Sequence, residues 1–253
     1  MRNLVVNGNT SDEVTDILRT EAEASASKGT EITAVKARFG ARVIGSRSEN
    51  AIAQHAVLDA VARHATGMDA ILIAVSLDTA LGAVREAASV PVVGMTEASL
   101  MTACMLGERL GVVTFDRRLA AVYESLVASY GLKERLAGVH VVDMSPAAAA
   151  GARGETEAAL KRAAESLISK DRVEVVVAIG AVAAGMPRRL KDALPVPILD
   201  GISCGILQAE LLVRLGVRKP TVGSYALPTV RQAVDLGDPL GEFLGGAGPG
   251  AAR

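Results

Sequence analysis

The chain has 253 residues, half of them hydrophobic but only 2% aromatic, and its 27 basic and 28 acidic residues leave a formal net charge of −1. A nearly neutral chain with few aromatic rings is poorly suited to bind nucleic acid or an anionic membrane surface. Its two cysteines form no disulfide framework, it has no secretory signal at its start, and it has no run of 18 apolar residues. These features predict a cytoplasmic protein.

Short β-branched runs alternate with longer helical patterns along the whole chain. Runs such as Ala70–Val75 are continuously apolar, as strands are when helices cover both faces of a parallel sheet. The predicted strands are Leu4–Val6, Glu31–Val35, Ala70–Val75, Val90–Val93, Gly111–Thr114, His140–Asp143, Val173–Ile179, Val196–Leu199 and Thr221–Gly223. The predicted helices are Ser11–Ser27, with Ser11 as the N-cap, and Ser48–His64, Leu81–Ala88, Glu97–Leu106, Arg117–Tyr130, Glu155–Ser169, Met186–Ala193 and Ile206–Leu215.

The order of elements repeats itself in the two halves of the chain. The strand that ends near Val75 leads through a helix to Val90-Pro91-Val92-Val93-Gly94, and the strand that ends near Gly180 leads to Val196-Pro197-Ile198-Leu199-Asp200-Gly201. Each half could be a four-stranded parallel lobe, or the halves could close into one (β/α)₈ barrel. The ninth predicted strand, Thr221–Gly223, favours two lobes, because an eight-stranded barrel has no place for it.

The residues that follow the strands form the candidate site, because ligands gather at the carboxyl ends of parallel strands. Asn7, Asn9 and Thr10 could hold a carboxylate or a planar imide beside a helix N-terminus, although capping that helix is the alternative. At the third strand end, Ser76 could be a nucleophile or a weak proton relay, beside Asp78 and Thr79.

Capping of the next helix is again the alternative for Ser76 and Asp78, and the pattern alone favours it. A serine nucleophile needs a base. None of His55, His64 and His140 lies at a strand's carboxyl end, so the sequence disfavours a Ser-His-Asp triad.

Motifs for metals and nucleotide cofactors are absent from the sequence. There is no His-x-x-x-His or Cys-x-x-Cys pair, no Walker-type loop, and no Gly-x-Gly-x-x-Gly after a strand. We therefore predict neither a metal nor an organic cofactor. Arg42 and Arg47, on the loop after the second strand, could supply charge to an anionic substrate or could simply be solvated.

Several segments resemble the aspartate/glutamate/hydantoin racemase superfamily. Asn7-Gly8-Asn9-Thr10-Ser11 is similar to its Asn-Pro-Asn-Thr-Ser start, and residues 38–59 are similar to its hydantoin/allantoin racemase branch. The resemblance covers about residues 1–215. It implies an α/β fold of two pseudo-symmetric Rossmann-like lobes, each with a four-stranded, mainly parallel sheet, and an active site in the cleft between them. The last segment returns to the first lobe, so residues 1–96 and 205–253 would form that lobe and residues 97–204 the second.

The racemases of this superfamily use one cysteine from each half, and these thiols remove and return a proton on opposite faces of the substrate carbon. The resemblance places the first cysteine at Val75, or at Ser76 if the loop slips by one residue, and the second at Ala181. Both catalytic thiols are therefore expected to be missing, whereas the substrate-binding positions are retained. The predicted substrate-binding residues are Asn7, Asn9, Thr10, Val75, Thr79, Thr114, Phe115, Gly180, Ala181 and Val182, and the predicted catalytic residues are Ser76 and Asp78.

The function predicted from these features is an isomerase or racemase that acts without a cofactor on a small carboxylate or a hydantoin-like cyclic amide. One alternative is a hydrolase or lyase on the same scaffold that uses Ser76 and Asp78. The other is a non-catalytic protein that binds a small molecule. No nucleic-acid or membrane partner is expected, and a homo-oligomer is compatible with the resemblance.

Overall fold

The structure, a computed structural model, describes residues 1–115, 117–144, 146–228 and 236–244. In this part of the chain, eight strands form two four-stranded sheets in which every pair of neighbours is parallel. The first sheet has the order β2-β1-β3-β4 and consists of β1 (Arg2–Asn7), β2 (Glu31–Lys36), β3 (Ala70–Ile73) and β4 (Val92–Gly94). The second has the order β6-β5-β7-β8 and consists of β5 (Leu110–Thr114), β6 (Leu136–Val141), β7 (Val175–Ala178) and β8 (Ile198–Asp200).

Ten α-helices connect and cover these strands in the described residues. They are α1 (Asp12–Ser25), α2 (Arg47–His64), α3 (Leu81–Ala87), α4 (Met95–Cys104), α5 (Ala120–Ser129), α6 (Pro146–Gly151), α7 (Arg153–Asp171), α8 (Met186–Leu190), α9 (Gly201–Arg214) and α10 (Asp238–Leu244). Short 3₁₀ turns at Arg117–Leu119, Lys133–Arg135 and Ala181–Ala183 complete the connections. The sequence pattern predicted all of the α-helices except α6 and α10, with shifts of a few residues at their ends.

The continuously apolar strands are covered on both faces, as their composition predicts. Every residue of β3 and of β7 is buried. In β3, Leu72 packs into the cluster that includes residues of α1 and α9, while Ile71 and Ile73 pack into the cluster on the α2 and α3 side. The two faces of one strand thus belong to two hydrophobic layers, which explains why the strand does not alternate with polar residues.

The two halves exchange a helix. Helix α4 follows β4 of the first sheet but packs against β5, β7 and β8 of the second, and α9 follows β8 of the second sheet but packs against β3 and β4 of the first. The two exchanged helices also pack against each other. This crossing joins the sheets into one body and turns the carboxyl ends of β1, β3, β5 and β7 toward a shared cavity.

Two strand predictions differ from the structure. Thr221–Gly223 is a bend and not a ninth strand: Pro220 before it cannot donate to a sheet ladder, and Val222 is 79% exposed with no strand beside it. The two-lobed architecture instead follows directly from the two separate sheets. The sixth strand was predicted at His140–Asp143 but runs over Leu136–Val141, because its pairing with β5 begins at Leu110 and Leu136.

No helix in the described ranges combines the length and the hydropathy that a bilayer-spanning segment requires.

Candidate active site

A cavity of about 150 Å³ lies between the carboxyl ends of the two sheets. Nine of the predicted site residues line it: Asn7, Asn9, Val75, Ser76, Thr114, Phe115, Gly180, Ala181 and Val182. The other ten lining residues are Ser11, Glu13, Val14, Arg42, Val43, Ile44, Ala74, Leu119, Tyr123 and Ile179. Three predicted residues, Thr10, Asp78 and Thr79, are not part of this lining.

The β1–α1 loop is held in shape by its own asparagines. The Asn7 amide donates to Asn9 Oδ1 at 3.0 Å and to Thr15 Oγ1 at 2.9 Å, and Asn7 Oδ1 accepts from the Asn9 backbone N–H at 3.1 Å. Asn9 Oδ1 also accepts from the Ser11 backbone N–H, while Ser11 is the N-cap of α1 and accepts from Val14 N–H. Asn7 is therefore occupied in positioning the loop, and Asn9 lines the cavity beside it.

Ser76 meets a tyrosine from the other half of the chain. Its Oγ lies 2.8 Å from the hydroxyl of Tyr123 on α5, and both residues line the cavity. The Ser76 carbonyl accepts from the Thr96 hydroxyl at 2.8 Å, which fixes the β3–α3 loop to the first turn of α4. Two hydroxyl groups, one from each lobe, thus stand together on one wall of the cavity.

Asp78 lies under that wall and caps α4. Its Oδ1 accepts from the Thr96 N–H at 3.0 Å, and its Oδ2 accepts from the Glu97 N–H at 2.7 Å and from the Tyr130 hydroxyl at 2.6 Å. The N-cap position itself is Gly94, which has no side chain to accept these amides. Burial raises the pKa of Asp78 to about 7, although its three donors oppose that shift. These contacts give the carboxyl group a positioning role; a catalytic role for Asp78 stays a prediction.

The two remaining predicted binding residues bond to the protein itself. The Thr79 hydroxyl is buried and donates to Asn50 Oδ1 at 2.5 Å, and the Thr10 hydroxyl donates to the Ala41 carbonyl at 3.3 Å. The first bond ties the β3–α3 loop to helix α2, and the second ties the β1–α1 loop to the loop after β2. Substrate contact by Thr79 and Thr10 also stays a prediction.

Apolar groups occupy the two positions where the resemblance expects thiols. Val75 and Ala181 both line the cavity, one from each half of the chain. Val75 packs so closely on the β1–α1 loop that a Cβ at Gly8 would lie 2.7 Å from its Cγ2 atom. Gly180, with a φ of +126°, lets the chain turn sharply between β7 and Ala181.

The chain's two cysteines, Cys104 and Cys204, lie on α4 and α9, outside the cavity lining. Burial and the neighbouring Asp200 raise the pKa of the Cys204 thiol to about 11, which opposes thiolate formation at neutral pH. His55, His64 and His140 are likewise not among the lining residues. Among the described residues, no three His, Cys, Asp or Glu side chains cluster closely enough to hold a metal ion.

Sequence reasoning missed Tyr123, the cavity residue with the most distinctive chemistry. It lies in a helix, where an aromatic residue is usually part of the core. The one feature that could have marked it as a site residue is that the chain has only three tyrosines. Arg42 does line the cavity, at its exposed edge, together with Glu13, whereas Arg47 begins α2 and does not. The loop after β2 therefore covers the cavity with Arg42, Val43 and Ile44.

Comparison with known proteins places this architecture in a family. The hydantoin racemase of Paenarthrobacter aurescens is 30% identical over 234 residues, which cover 92% of this chain and 99% of that protein. The solved structures of allantoin racemases from Klebsiella pneumoniae and Pseudomonas fluorescens superpose with a TM-score of 0.88 each, at 30% and 32% identity, and cover 92% of this chain and 97% and 100% of those chains. The profile of the Asp/Glu/hydantoin racemase family matches residues 4–209. The chain belongs to the Asp/Glu/hydantoin racemase family.

Proposed function

We propose that the protein is a cofactor-independent enzyme of isomerase or racemase type that acts on a small carboxylate or a five-membered cyclic amide. The observation that carries this proposal is a pair of hydroxyl groups in the cavity lining. Ser76 comes from one lobe and Tyr123 from the other, and their hydroxyl oxygens lie 2.8 Å apart. The relatives named hydantoin racemase and allantoin racemase support the choice of cyclic amide.

The size of the cavity fits a small ring. A cavity of about 150 Å³ is comparable to one that holds a benzene molecule. A five-membered ring with two carbonyl groups, such as hydantoin, has about the same number of heavy atoms. Larger substituents would have to extend toward Arg42 and Glu13 at the exposed edge.

The polar groups around the cavity suit carbonyl or carboxylate oxygens. Asn9 Nδ2 can donate from the first lobe, and the Thr114 hydroxyl lies at the end of β5 in the second. The 3₁₀ turn at Ala181–Ala183 begins at the cavity, where Gly180, Ala181 and Val182 are part of the lining. When a proton leaves the carbon beside a carbonyl, negative charge develops on its oxygen, and donors placed there stabilise the transition state.

The Ser76–Tyr123 pair supplies hydroxyl protons on one wall only. A hydroxyl pair can donate to a developing enolate oxygen or relay a proton along the wall. Val75 and Ala181 cannot carry a proton, so proton exchange by two thiols on opposite faces is not available. We therefore propose that solvent water takes the proton from the carbon and returns one to either face, while Ser76 and Tyr123 stay protonated and donate to the enolate oxygen. This reaction is slower than two-base racemisation, in which each positioned acid or base contributes roughly 10²–10⁴ in rate.

The decisive experiment measures proton exchange and not only product. The protein is incubated in D₂O with single enantiomers of a 5-substituted hydantoin, allantoin, aspartate and glutamate, beside the same solutions without protein. NMR follows deuterium entry at the acidic carbon while polarimetry follows loss of optical rotation. Deuterium entry with loss of rotation supports the proposal, and its absence in Ser76→Ala shows that the serine is required.

The apolar pair Val75 and Ala181 favours one other function, binding without turnover. A ligand from the same panel would then raise the melting temperature while its carbon–hydrogen bond stays unlabelled in D₂O. A Val75→Cys/Ala181→Cys double variant distinguishes the cases further. If that variant gains racemisation that the native protein lacks, the cavity still orients a racemase substrate and only the acid–base groups have been lost.

A further inference from the structure

A second pocket lies at the amino end of β4, and it shares no lining residue with the cavity between the lobes. Helix α3, the start of β4, the end of α9 and the loop that follows α9 surround a volume of about 200 Å³. The candidate active site lies at the carboxyl ends of the strands, so the two sites belong to opposite ends of the first sheet. We call this second site, between residues 85–92 and residues 212–225, the α3/α9 pocket.

The loop after α9 is fixed against α3 and forms one wall of the pocket. The Lys219 ammonium donates to the Arg85 carbonyl in the last turn of α3 at 2.6 Å, as cations commonly do at helix C-termini. Farther along the loop, the Tyr225 hydroxyl comes so close to α3 that a Cβ at Gly82 would lie 3.8 Å from its oxygen. The pocket therefore lies between two segments that are attached to each other.

The charged residues in the described lining are all basic, namely Arg85, Arg218 and Lys219. Arg85 is occupied, because its guanidinium donates to the Val92 carbonyl at 2.9 Å and forms a bidentate ion pair with Glu97. Arg218 is exposed and makes no hydrogen bond or ion pair with the described residues. Lys219 uses one of its three N–H donors on the Arg85 carbonyl. Arg218 and Lys219 are therefore the cations that remain available to an incoming anion.

Nearby acidic groups compensate only part of this positive charge. Glu97 is already neutralised by Arg85, and Glu86, exposed on α3, is the acidic group whose charge acts on Lys219. Partial burial lowers the pKa of the Lys219 ammonium in spite of Glu86, because the group has lost part of its hydration. A carboxylate beside Lys219 and Arg218 would replace that hydration with charge-assisted hydrogen bonds.

We propose that the α3/α9 pocket binds a small organic anion, a carboxylate carried on an apolar ring or a short apolar chain. The two cations account for the carboxylate. The rest of the lining accounts for the apolar body, since it includes Val90, Pro91, Val92, Leu212, Val217 and Pro220. A cavity of roughly 150 Å³ holds a benzene molecule, so a volume of about 200 Å³ accommodates a ring together with its carboxylate. The Tyr225 hydroxyl, which also lines the pocket, supplies a neutral donor.

The test is the binding of 4-fluorobenzoate to the full chain, followed by ¹⁹F NMR with up to about 10 mM ligand, which detects affinities in the millimolar range. Two comparison ligands separate charge from shape: 4-fluorobenzamide has the ring without the charge, and inorganic phosphate has the charge without the ring. We expect saturable binding of the benzoate and about tenfold weaker binding of the benzamide, which cannot form the charge-assisted hydrogen bonds. Phosphate at the same concentration should not displace the benzoate.

Two substitutions assign the binding to this pocket. Val217→Trp fills the pocket, and Val222→Trp is the matched control, because both valines are exposed and Val222 lies on the same loop outside the lining. Arg218→Gln removes one cation, and Lys170→Gln, at an exposed position on α7, is its control. We expect Val217→Trp to abolish benzoate binding, and Arg218→Gln to weaken it roughly twofold to fivefold, the usual effect of losing an exposed ion pair. Both controls should bind as the native protein does.

A native protein that shows no saturable binding of the benzoate would overturn the proposal, as would equal affinities for the benzoate and the benzamide. A carboxylate could also enter the cavity between the lobes, so Asn9→Ala is measured beside the native protein. Binding that Asn9→Ala abolishes and Val217→Trp leaves intact would assign the anion to the candidate active site and would equally overturn the proposal. The result does not depend on whether the protein racemises a substrate.

Discussion

The hydroxyl of Tyr130 donates a 2.6 Å hydrogen bond to the carboxyl group of Asp78, and this bond links the second half of the chain to the β3–α3 loop of the first. The same carboxyl group accepts the backbone N–H groups of Thr96 and Glu97 at the start of α4. In the second half, Asp200 occupies the N-cap position of α9 and accepts from Ile202 and Ser203 itself. The two halves thus cap equivalent helices with carboxyl groups from different positions in the sequence.

Replacing Asp78 by Ala should destabilise the protein by about 2–4 kcal/mol, because a helix cap is lost and a buried tyrosine hydroxyl loses its acceptor. Urea denaturation followed by circular dichroism measures the free energy of unfolding. The control is Asp16→Ala, since Asp16 is exposed on α1 and pairs with the exposed Arg19. That change should cost less than about 1 kcal/mol. Equal losses in the two variants would show that the contacts of Asp78 are weak.

The stability that Asp78 contributes should depend on pH in an identifiable direction. Burial raises its pKa to about 7 from an ordinary value of 3.8, so the folded protein binds this proton more tightly than the unfolded chain does. Its contribution to the free energy of unfolding is therefore fully present below about pH 4 and is lost as the pH rises through about 7.

Asp78→Asn isolates this effect, because the amide does not titrate. The difference in free energy of unfolding, wild type minus variant, should decrease between pH 4 and pH 7. An increase over the same range would mean that the three donors stabilise the carboxylate more than burial disfavours it. Urea denaturation at half-unit pH intervals decides between these outcomes.

The hydroxyl pair at the cavity yields the third prediction, which rests on the proposed function. Ser76→Ala and Tyr123→Phe should each lower kcat for the substrate found by deuterium exchange by roughly 10²–10³, the usual effect of removing one donor to a developing oxyanion. Tyr225→Phe is the control, because Tyr225 lies outside the cavity lining and is exposed. A change confined to KM would instead indicate that the pair only binds the substrate.

The sequence allowed both the fold class and most of the cavity lining to be predicted, for a physical reason. Parallel strands end at one edge of a sheet, so residues such as Asn9, Ser76 and Thr114 could be grouped before any coordinates were known. Tyr123 could not be grouped with them, because its position depends on how α5 packs across the lobes. The sequence offered capping of the next helix, α3, as the alternative for Ser76 and Asp78, but α3 has no side-chain cap. Asp78 caps α4 instead, and its partners Thr96 and Tyr130 depend on the exchange of α4 between the sheets.

The ninth predicted strand is a case in which the local sequence predicted an element that the structure does not contain. Thr221–Gly223 has a suitable composition, but a strand also needs a neighbouring strand with which its backbone can pair. The local sequence does not show whether such a neighbour is present. Helix α10 was missed because Pro239 and Gly241, two of its seven residues, are the poorest helix formers.

The crossing of α4 and α9 provides a last prediction, because the first residues of the two helices lie in close contact. A Cβ at Gly201, the first residue of α9, would lie 2.6 Å from the carbonyl oxygen of Met95, the first residue of α4. Backbone atoms cannot move aside as a flexible side chain can, so Gly201→Ala should destabilise the protein by about 2–3 kcal/mol. Gly154→Ala is the matched control, because Gly154 lies in the first turn of α7 with no atom within 4 Å of the added Cβ. Alanine there should raise stability by about 0.5–1 kcal/mol through its better helix propensity. Urea denaturation should therefore shift in opposite directions for the two Gly→Ala variants, and an unchanged midpoint for Gly201→Ala would mean that the helix crossing can open without cost.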